Sequence, residues 1–323
     1  MTELTLLEGA ALAQAPVSAL VLSFFVYAFV GWAYESTICA LLNHGHFANS
    51  GFLLGPCCPI YGVGSLACWL LLRGIDNIGV QFVAAAVVCC SLEYVVGLLL
   101  ERATHARFWD YSNFPLNING RVCLYGALLF GAGAVLICRV AEPGVLAALA
   151  LVPAPVLRAA AAGLIAVLVV DTAFALASWR RLSDQLEALR ADMADRINES
   201  LRETSDSLLE RIPASALDSA NTAHVRGRAI NAWLADVSDA AMDALRERAE
   251  IPSFSVEGPS GLRLAARRAS RAAARWQASA AASLSRRDLR FFNAFPRLRM
   301  LPYEGVIRAT KLKDRARELF RWR

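Results

Sequence analysis

Apolar positions gather along this chain into four runs near the length a bilayer demands, about 20 predominantly apolar residues. They are Val17 to Leu42, Ile78 to Leu100, Val122 to Val140 and Ala159 to Ser178. A fifth run, Ile60 to Leu72, is short for a hydrocarbon core ~30 Å thick, and reaches span length if the chain enters the membrane near Phe52. Gly144 to Leu157 is also apolar, but Pro153 and Pro155 interrupt it, so an interfacial or re-entrant segment is expected there. After Ser178 the period changes. Leu182, Leu186, Leu189, Met193, Ile197, Leu201, Leu208 and Ile212 recur every three or four residues with charges between them, the period of an amphipathic helix. The heptad register slips at Arg196 and Ser200, which favours packing on the protein's own domain over a dimeric coiled coil. "IPSFSVEGPSG", Ile251 to Gly261, reads as a linker. Beyond it lies an Ala/Arg helix-former whose Arg263, Arg267, Arg271 and Arg275 fall four apart on one stripe.

The expected fold class is therefore all-α: a polytopic membrane protein of about five transmembrane helices with a helical cytoplasmic C-terminal tail. The expected organisation is a transmembrane domain at 1–178 with loops at 43–59 and 101–121, an amphipathic helical region at 179–250, a linker at 251–261 and a basic helical tail at 262–323.

Composition agrees, with 56% hydrophobic residues in 323 and a mean hydropathy of +0.42, too apolar for an ordinary water-soluble domain of this size. No Lys or Arg precedes the first run, so it reads as a retained span, not a signal peptide. Five spans put the termini on opposite sides. The arginine-rich tail opening at Arg180 and Arg181 places itself in the cytoplasm by the positive-inside tendency, in a plasma-membrane protein. Arg102, Arg107 and Arg121 then lie inside, against Arg73, Arg139 and Arg158 outside. The eight cysteines form no CxxC pair and sit mostly in apolar runs, which reads as small buried hydrophobes.

In that topology the loops after the first and third spans share a side, and they also share a pattern. "GFLLGPCCPIYG" follows Tyr34 and Glu35, "RFWDYSNFPLNINGRVCLYG" follows Glu93 and Tyr94, and the endings "CPIYG" and "CLYG" align, which suggests a parallel repeat of two spans per unit. Helix breakers at membrane depth need protein or water around them, so Gly55, Pro56, Pro59 and Gly62 are expected to face the protein interior. Acids within spans are costly and mark function; Glu35, Glu93 and Asp171 qualify. Glu93, Gly97 and Glu101 share one helix face, where a neighbouring backbone can approach. Glu35 and Glu93 have two readings, a polar pathway or recognition face, and a structural ion pair with Arg121 or Arg102. In the second loop Phe108, Trp109, Tyr111 and Phe114 suit the interfacial belt. Asn119 and Gly120 signal a turn, and Asp110, Asn113, Asn117 and Arg121 bring donors and acceptors, either for a substrate or for the loop's own backbone.

His44, His46, Cys57, Cys58 and His105 show no ligand spacing, so no metal site is expected. No serine elbow or catalytic constellation stands out, and no cofactor is expected. The only lysines are Lys311 and Lys313, neither preceded by glycine. This excludes a GxxxxGK[ST] phosphate loop from the sequence, so ATP-driven work would need a separate nucleotide-binding subunit. The arginine stripe, with Trp276 as an interfacial anchor, favours anionic lipid or a protein partner, and nucleic acid comes last.

Four stretches, "FVYAFVGWAYES", "NSGFLLGPCCPIYGVGSL", "LEYVVGLLLE" and "FWDYSNFPLNINGRVCLYG", occur in order and together resemble the CmpB-like family named "putative ABC-transporter type IV". The resemblance covers about Phe24 to Gly131, with a fainter echo in "FFNAFPRLRMLPYEGVIRATKLK", Phe291 to Lys313. It implies a multi-span bacterial permease. It puts Trp32, Glu35, Gly51, Phe52, Gly55, Pro56, Pro59, Tyr61, Gly62, Glu93, Trp109, Asp110, Tyr111, Pro115, Asn117, Gly120 and Arg121 on the family pattern, while Cys57 departs from the tyrosine usual there. The expectation is the membrane component of a transport system, with a polar network of Glu35, Glu93, Asp110, Asn117 and Arg121. The bilayer, a separate nucleotide-binding ATPase subunit and a further copy of the chain in a homo-oligomer are the implied partners. A scaffold or regulator that recruits partners through its loops and basic tail is the alternative of a different class.

Overall fold

The computed structural model describes residues 3–209, 276, 279, 280 and 283–320. These are helical apart from loops and two two-residue strands, Ala106–Arg107 and Arg299–Met300. The chain divides into two compact units. One comprises Met1–Ser178, Arg290–Arg299 and Phe320–Arg323; the other comprises Trp179–Leu289 and Met300–Leu319. The linker at 251–261 and the arginine stripe lie outside the described residues.

The first unit is a helical bundle. Helix α1 (Glu3–Gln14) precedes the first apolar run, and α2 (Pro16–Tyr34) starts with a proline in its first turn, where the missing N–H costs nothing. A π turn, Glu35–Cys39, carries α2 into α3 (Ala40–His44), which stops at Gly45 in the left-handed region at φ 73°. Helix α4 (Pro59–Leu72) also opens on proline. Asn77 caps α5 (Ile78–Thr104), its side chain accepting from the Val80 amide at 3.0 Å. Helix α6 (Leu124–Leu136) passes through a second π turn, Ile137–Ala141, into α7 (Glu142–Ala150), and α8 runs over Ala154–Leu209.

Four stretches are long and apolar enough to cross a membrane: Pro16–Leu42, Ile78–Thr104, Leu124–Ala150 and Ala154–Arg196. Pro59–Leu72 is a shorter apolar helix. Val83 is 60% exposed and Val167 64%, as lipid-facing side chains should be. The expectation for Gly144 to Leu157 is corrected: Gly144–Ala150 continues the third span as α7. Pro153 does fall in the break between α7 and α8, and Pro155 stands in the first turn of α8, a position that proline tolerates.

Small residues hold the bundle together, since apolar burial alone drives little association among lipid tails. A Cβ on Gly31 would fall 2.2 Å from Tyr61 Cγ, and one on Gly62 2.5 Å from Phe24 Cδ2; these two glycines let α2 and α4 touch. Gly131 serves α6 against Phe82 of α5 in the same way. Trp69, Cys68 and Leu72 of α4 form a core with Ala19, Ala85, Ala134, Cys138 and Leu146. At the end of the bundle away from the two loops, Arg139 donates to Gln81 Oε1 at 2.7 Å and to the Ile75 carbonyl at 3.1 Å, and Gln81 donates to the Leu72 carbonyl at 3.0 Å. These bonds close the α4–α5 turn.

In the second unit Leu182 and Leu186 are buried, and Met193 clusters with Trp276, Ala280, Val306 and Ala309, with Leu189 against them. Helix α9 (Arg286–Ala294) begins with a capping box: Asp288 accepts from the Ser285 amide at 2.9 Å while its own amide faces Ser285 Oγ at 3.4 Å. Helices α10 (Glu304–Ala309) and α11 (Leu312–Phe320) follow. Trp276 is corrected as a membrane anchor. It is 4% exposed and its indole donates to Asp192 at 2.6 Å, so the ring is already buried in protein.

Candidate functional site

The site lies in the first unit, where the loops 43–59 and 101–121 meet. Phe52 and Phe108 stack edge to face with centroids 5.9 Å apart. The first loop is pinned from three directions. Trp32 donates to Asn49 Oδ1 at 2.7 Å, and Asn49 returns a bond to the Leu54 carbonyl at 3.1 Å. The Ser50 amide donates to the buried Ser36 Oγ at 3.0 Å. Asp171 of α8 accepts both the Leu54 and the Gly55 amides at 2.8 Å. A span acid therefore satisfies the N–H groups that the helix breakers leave open. Gly51 takes φ 105° and Gly55 sits against Asp171, where a Cβ would be 3.1 Å from Oδ2. Pro56 precedes Cys57 and Cys58, and Pro59 starts α4. Burial, and then the Asp171 charge, raises the Cys57 thiol; burial, and then Glu35 and Cys57, pushes Cys58 up to about 12.

The second loop builds itself. Asn117 donates to the Ser112 and Phe114 carbonyls at 3.1 and 2.9 Å and accepts from the Gly120 amide at 3.1 Å. Asn119 and Gly120 are left-handed at φ 52° and 67°, the turn their sequence signals. Pro115 lies within this turn region, and its carbonyl faces the Leu124 amide at 3.5 Å. Trp109 Nε1 donates to the Arg121 carbonyl at 3.0 Å. Asp110 accepts the Ser112 amide at 2.9 Å and pairs with Arg299 at 3.2 Å. Burial pushes Asp110 up, but the two Ser112 bonds, Arg299 and Arg107 outweigh it and hold the carboxyl below its ordinary value. Gly97 admits side chains, not a neighbouring backbone: a Cβ there would meet Trp109 Cζ2 at 3.2 Å and Arg121 Cδ at 3.6 Å.

The ion-pair reading of Glu35 and Glu93 is corrected. Arg121 binds Glu101 at 2.8 Å, beside Arg107 on the same carboxylate at 3.1 Å, and Arg102 is exposed. Glu35 instead accepts from the Tyr61 hydroxyl at 2.6 Å, and Glu93 from the Tyr111 hydroxyl at 3.2 Å. Burial, then Glu93 and Glu35, drive the Tyr111 phenol upward, so both carboxylates act on one ring. In each two-span unit a span acid thus accepts from a tyrosine further along. The aligned endings do not predict which one, since Tyr125, the counterpart of Tyr61, is 60% exposed and Tyr111 does the work.

A third element joins the loops without having been marked as a site in the sequence. In Arg290–Arg299, Arg290 donates to the Phe52 carbonyl at 3.0 Å, Phe291 packs on Phe52 at 5.5 Å and Phe295 on Phe108 at 5.0 Å. Arg297 lies 4.8 Å from the Phe114 ring centroid. The "FFNAFPRLR" string was the available signal. Glu101 was visible in the acidic stripe, and Glu142, wholly buried beside Tyr27, was not picked out from its run. Arg263, Arg267, Arg271 and Arg275 lie outside the described residues.

The fold and this site define an all-α polytopic membrane protein whose two loops enclose a pair of span carboxylates. Residues 22–176 match the model of a family described as "Putative ABC-transporter type IV". No curated protein and no solved structure matches the chain.

Proposed function

We propose that the protein is the permease component of a transport system, without an ATPase of its own, and that a separate nucleotide-binding subunit supplies energy where ATP is used. The observation that carries this reading is the Glu35–Glu93 pair. Both acids stand in spans, and each has a phenol rather than an arginine for its partner. An acid placed in a span without a cation is costly to insert, and a route or binding face for a polar solute accounts for its presence. The other polar residues of the expected network, Asp110, Asn117 and Arg121, support the loops and so shape the mouth of that route. The plasma membrane is the proposed location, with the loops and tail facing the cytoplasm and the arginine stripe meeting anionic lipid or protein.

Flux of candidate polar solutes into vesicles that carry the chain together with any nucleotide-binding subunit that copurifies with it tests the proposal. Glu35→Gln and Glu93→Gln should abolish movement while expression is preserved; undiminished flux in both variants sinks it. The scaffold reading has its own support in Arg290–Arg299, which ties the loops to a C-terminal segment. It predicts that removal of residues 180–323 eliminates function while the spans remain intact.

A further inference from the structure

Glu93 is 7% exposed, and its two oxygens differ. Oε1 accepts from Tyr111, whereas Oε2 is enclosed and has no partner. Oε2 rests against α6 where glycine leaves room, 3.9 Å from the Cβ position of Gly126. Glu93 stands about eleven residues before the end of α5, ~16 Å along the axis, within the apolar run that closes at Leu100. The titratable groups facing it are Glu35 from the π turn, Tyr111 from the second loop and Cys89 and Cys90 of its own helix. From α6 and its cap come Gly126 and the Cys123 thiol, whose sulfur lies 3.9 Å from the same Cβ position. Arg121, one turn away, has its guanidinium on Glu101. Among the described residues the compartment thus holds two carboxylates, phenols and thiols, and no cation.

An enclosed carboxylate oxygen with no donor is uncompensated as a charge, and a proton supplies the partner that the helices do not. The π turn matters here, because such turns recur at functional sites and this one sets Glu35 at its first position. A file of polar groups also leads away from the loops: Cys89 meets Cys68 with sulfurs 3.4 Å apart, and Cys138 lies within electrostatic reach of both Cys89 and the buried Glu142.

We propose that Glu93, with Glu35 beside it, is a proton-binding site inside the bundle. A proton from water bonds to Oε2 of Glu93 while Oε1 keeps the Tyr111 hydrogen bond, and its release to water restores the carboxylate. This goes beyond the transport reading and does not depend on it.

The test is infrared difference spectroscopy of the full chain in liposomes, titrated with protons alone from mildly alkaline to mildly acidic pH. A carbonyl band of a protonated carboxylic acid should grow as pH falls, shift in heavy water and vanish in Glu93→Gln. Glu35→Gln removes the like charge and should lower proton affinity about tenfold, whereas Tyr111→Phe removes a bond to the charged form and should raise it about tenfold. If Glu93→Gln does not fold, these two opposite shifts decide the matter. A wild-type protein without such a band, or a band that none of the variants moves, overturns the proposal. The titration uses no solute, so a failed flux assay with the band intact removes only the transport reading.

Discussion

Asp171→Ala strips the first loop of the acceptor for two backbone amides, Leu54 and Gly55, each bonded at 2.8 Å. A hydrogen bond to a charged acceptor contributes roughly 1.5–3 kcal/mol, and its loss leaves each buried donor with its own desolvation penalty. Asp171 is only half-buried, so water can recover part of that, and the two bonds share one carboxylate. A loss of about 2–3 kcal/mol for local opening of the loop follows. Because 1.4 kcal/mol is a factor of ten, the Leu54 and Gly55 amides should exchange with heavy water about 30 to 150 times faster than in the parent. Hydrogen-exchange mass spectrometry on peptides spanning residues 50–58 reads this directly. Peptides from α5 serve as the control and should be unchanged. Asp171→Asn, with one acceptor oxygen left, should fall between. Unaltered protection of the loop in Asp171→Ala would refute the idea that a span acid holds the broken backbone.

Gly31→Ala puts a methyl 2.2 Å from Tyr61 Cγ, an atom close to the backbone that cannot swing away, so α2 and α4 must separate. A cost of about 1–3 kcal/mol, read as a lower midpoint in thermal unfolding in detergent, is expected. Glu101→Gln leaves Arg121, only 9% exposed, without its carboxylate; destabilisation of about 2 kcal/mol is expected. Arg107→Gln, on the more exposed partner, should cost less in the same assay. Asp110 has a depressed folded-state pKa, so its contribution is fully present above the ordinary carboxylate range and fades as pH falls below about 4. Thermal midpoints against pH should show this fall in the parent and lose that component in Asp110→Asn.

The spans were legible because their signal is the strongest a sequence carries, a long apolar run whose backbone satisfies itself. The stop between α2 and α4 was legible from Gly55, Pro56 and Pro59, but its remedy was not. Asp171 lies more than a hundred residues from Leu54, and nothing local connects them. Pro153 and Pro155 marked a true break between α7 and α8, but proline marks helix starts as readily as interruptions, and only the backbone on either side shows that Gly144–Ala150 joins the third span. Of the two readings of the span acids, the ion-pair one named arginines that do not pair with them. Arg121 could have met Glu93 or Glu101 along α5, and it pairs with Glu101, its Cδ and the Trp109 ring both lying against Gly97. The sequence around Trp276 says nothing of its partner Asp192, which sits 84 residues earlier.

The polar groups inside the membrane part separate by what they close. Asp171 closes two loop amides, Arg139 two turn carbonyls with the Gln81 side chain, and Glu101 two arginines. Each of these has a structural debt to settle, and removing it should loosen a particular loop. Glu35 and Glu93 close nothing of the backbone. Each takes one phenol hydrogen bond, which contributes about 1.5–3 kcal/mol, against roughly 2.5–3.5 kcal/mol for placing an acid at the centre of a span. The balance is near zero or unfavourable, and an apolar residue at either position would serve the bundle as well. The Tyr61 ring is wedged by Gly31 and the Glu93 oxygen by Gly126, so the surrounding helices are shaped to hold the two carboxylates where they are. Positions that stability does not require and that packing nevertheless fixes are where binding should be sought, and in this bundle they lie together beneath the two loops.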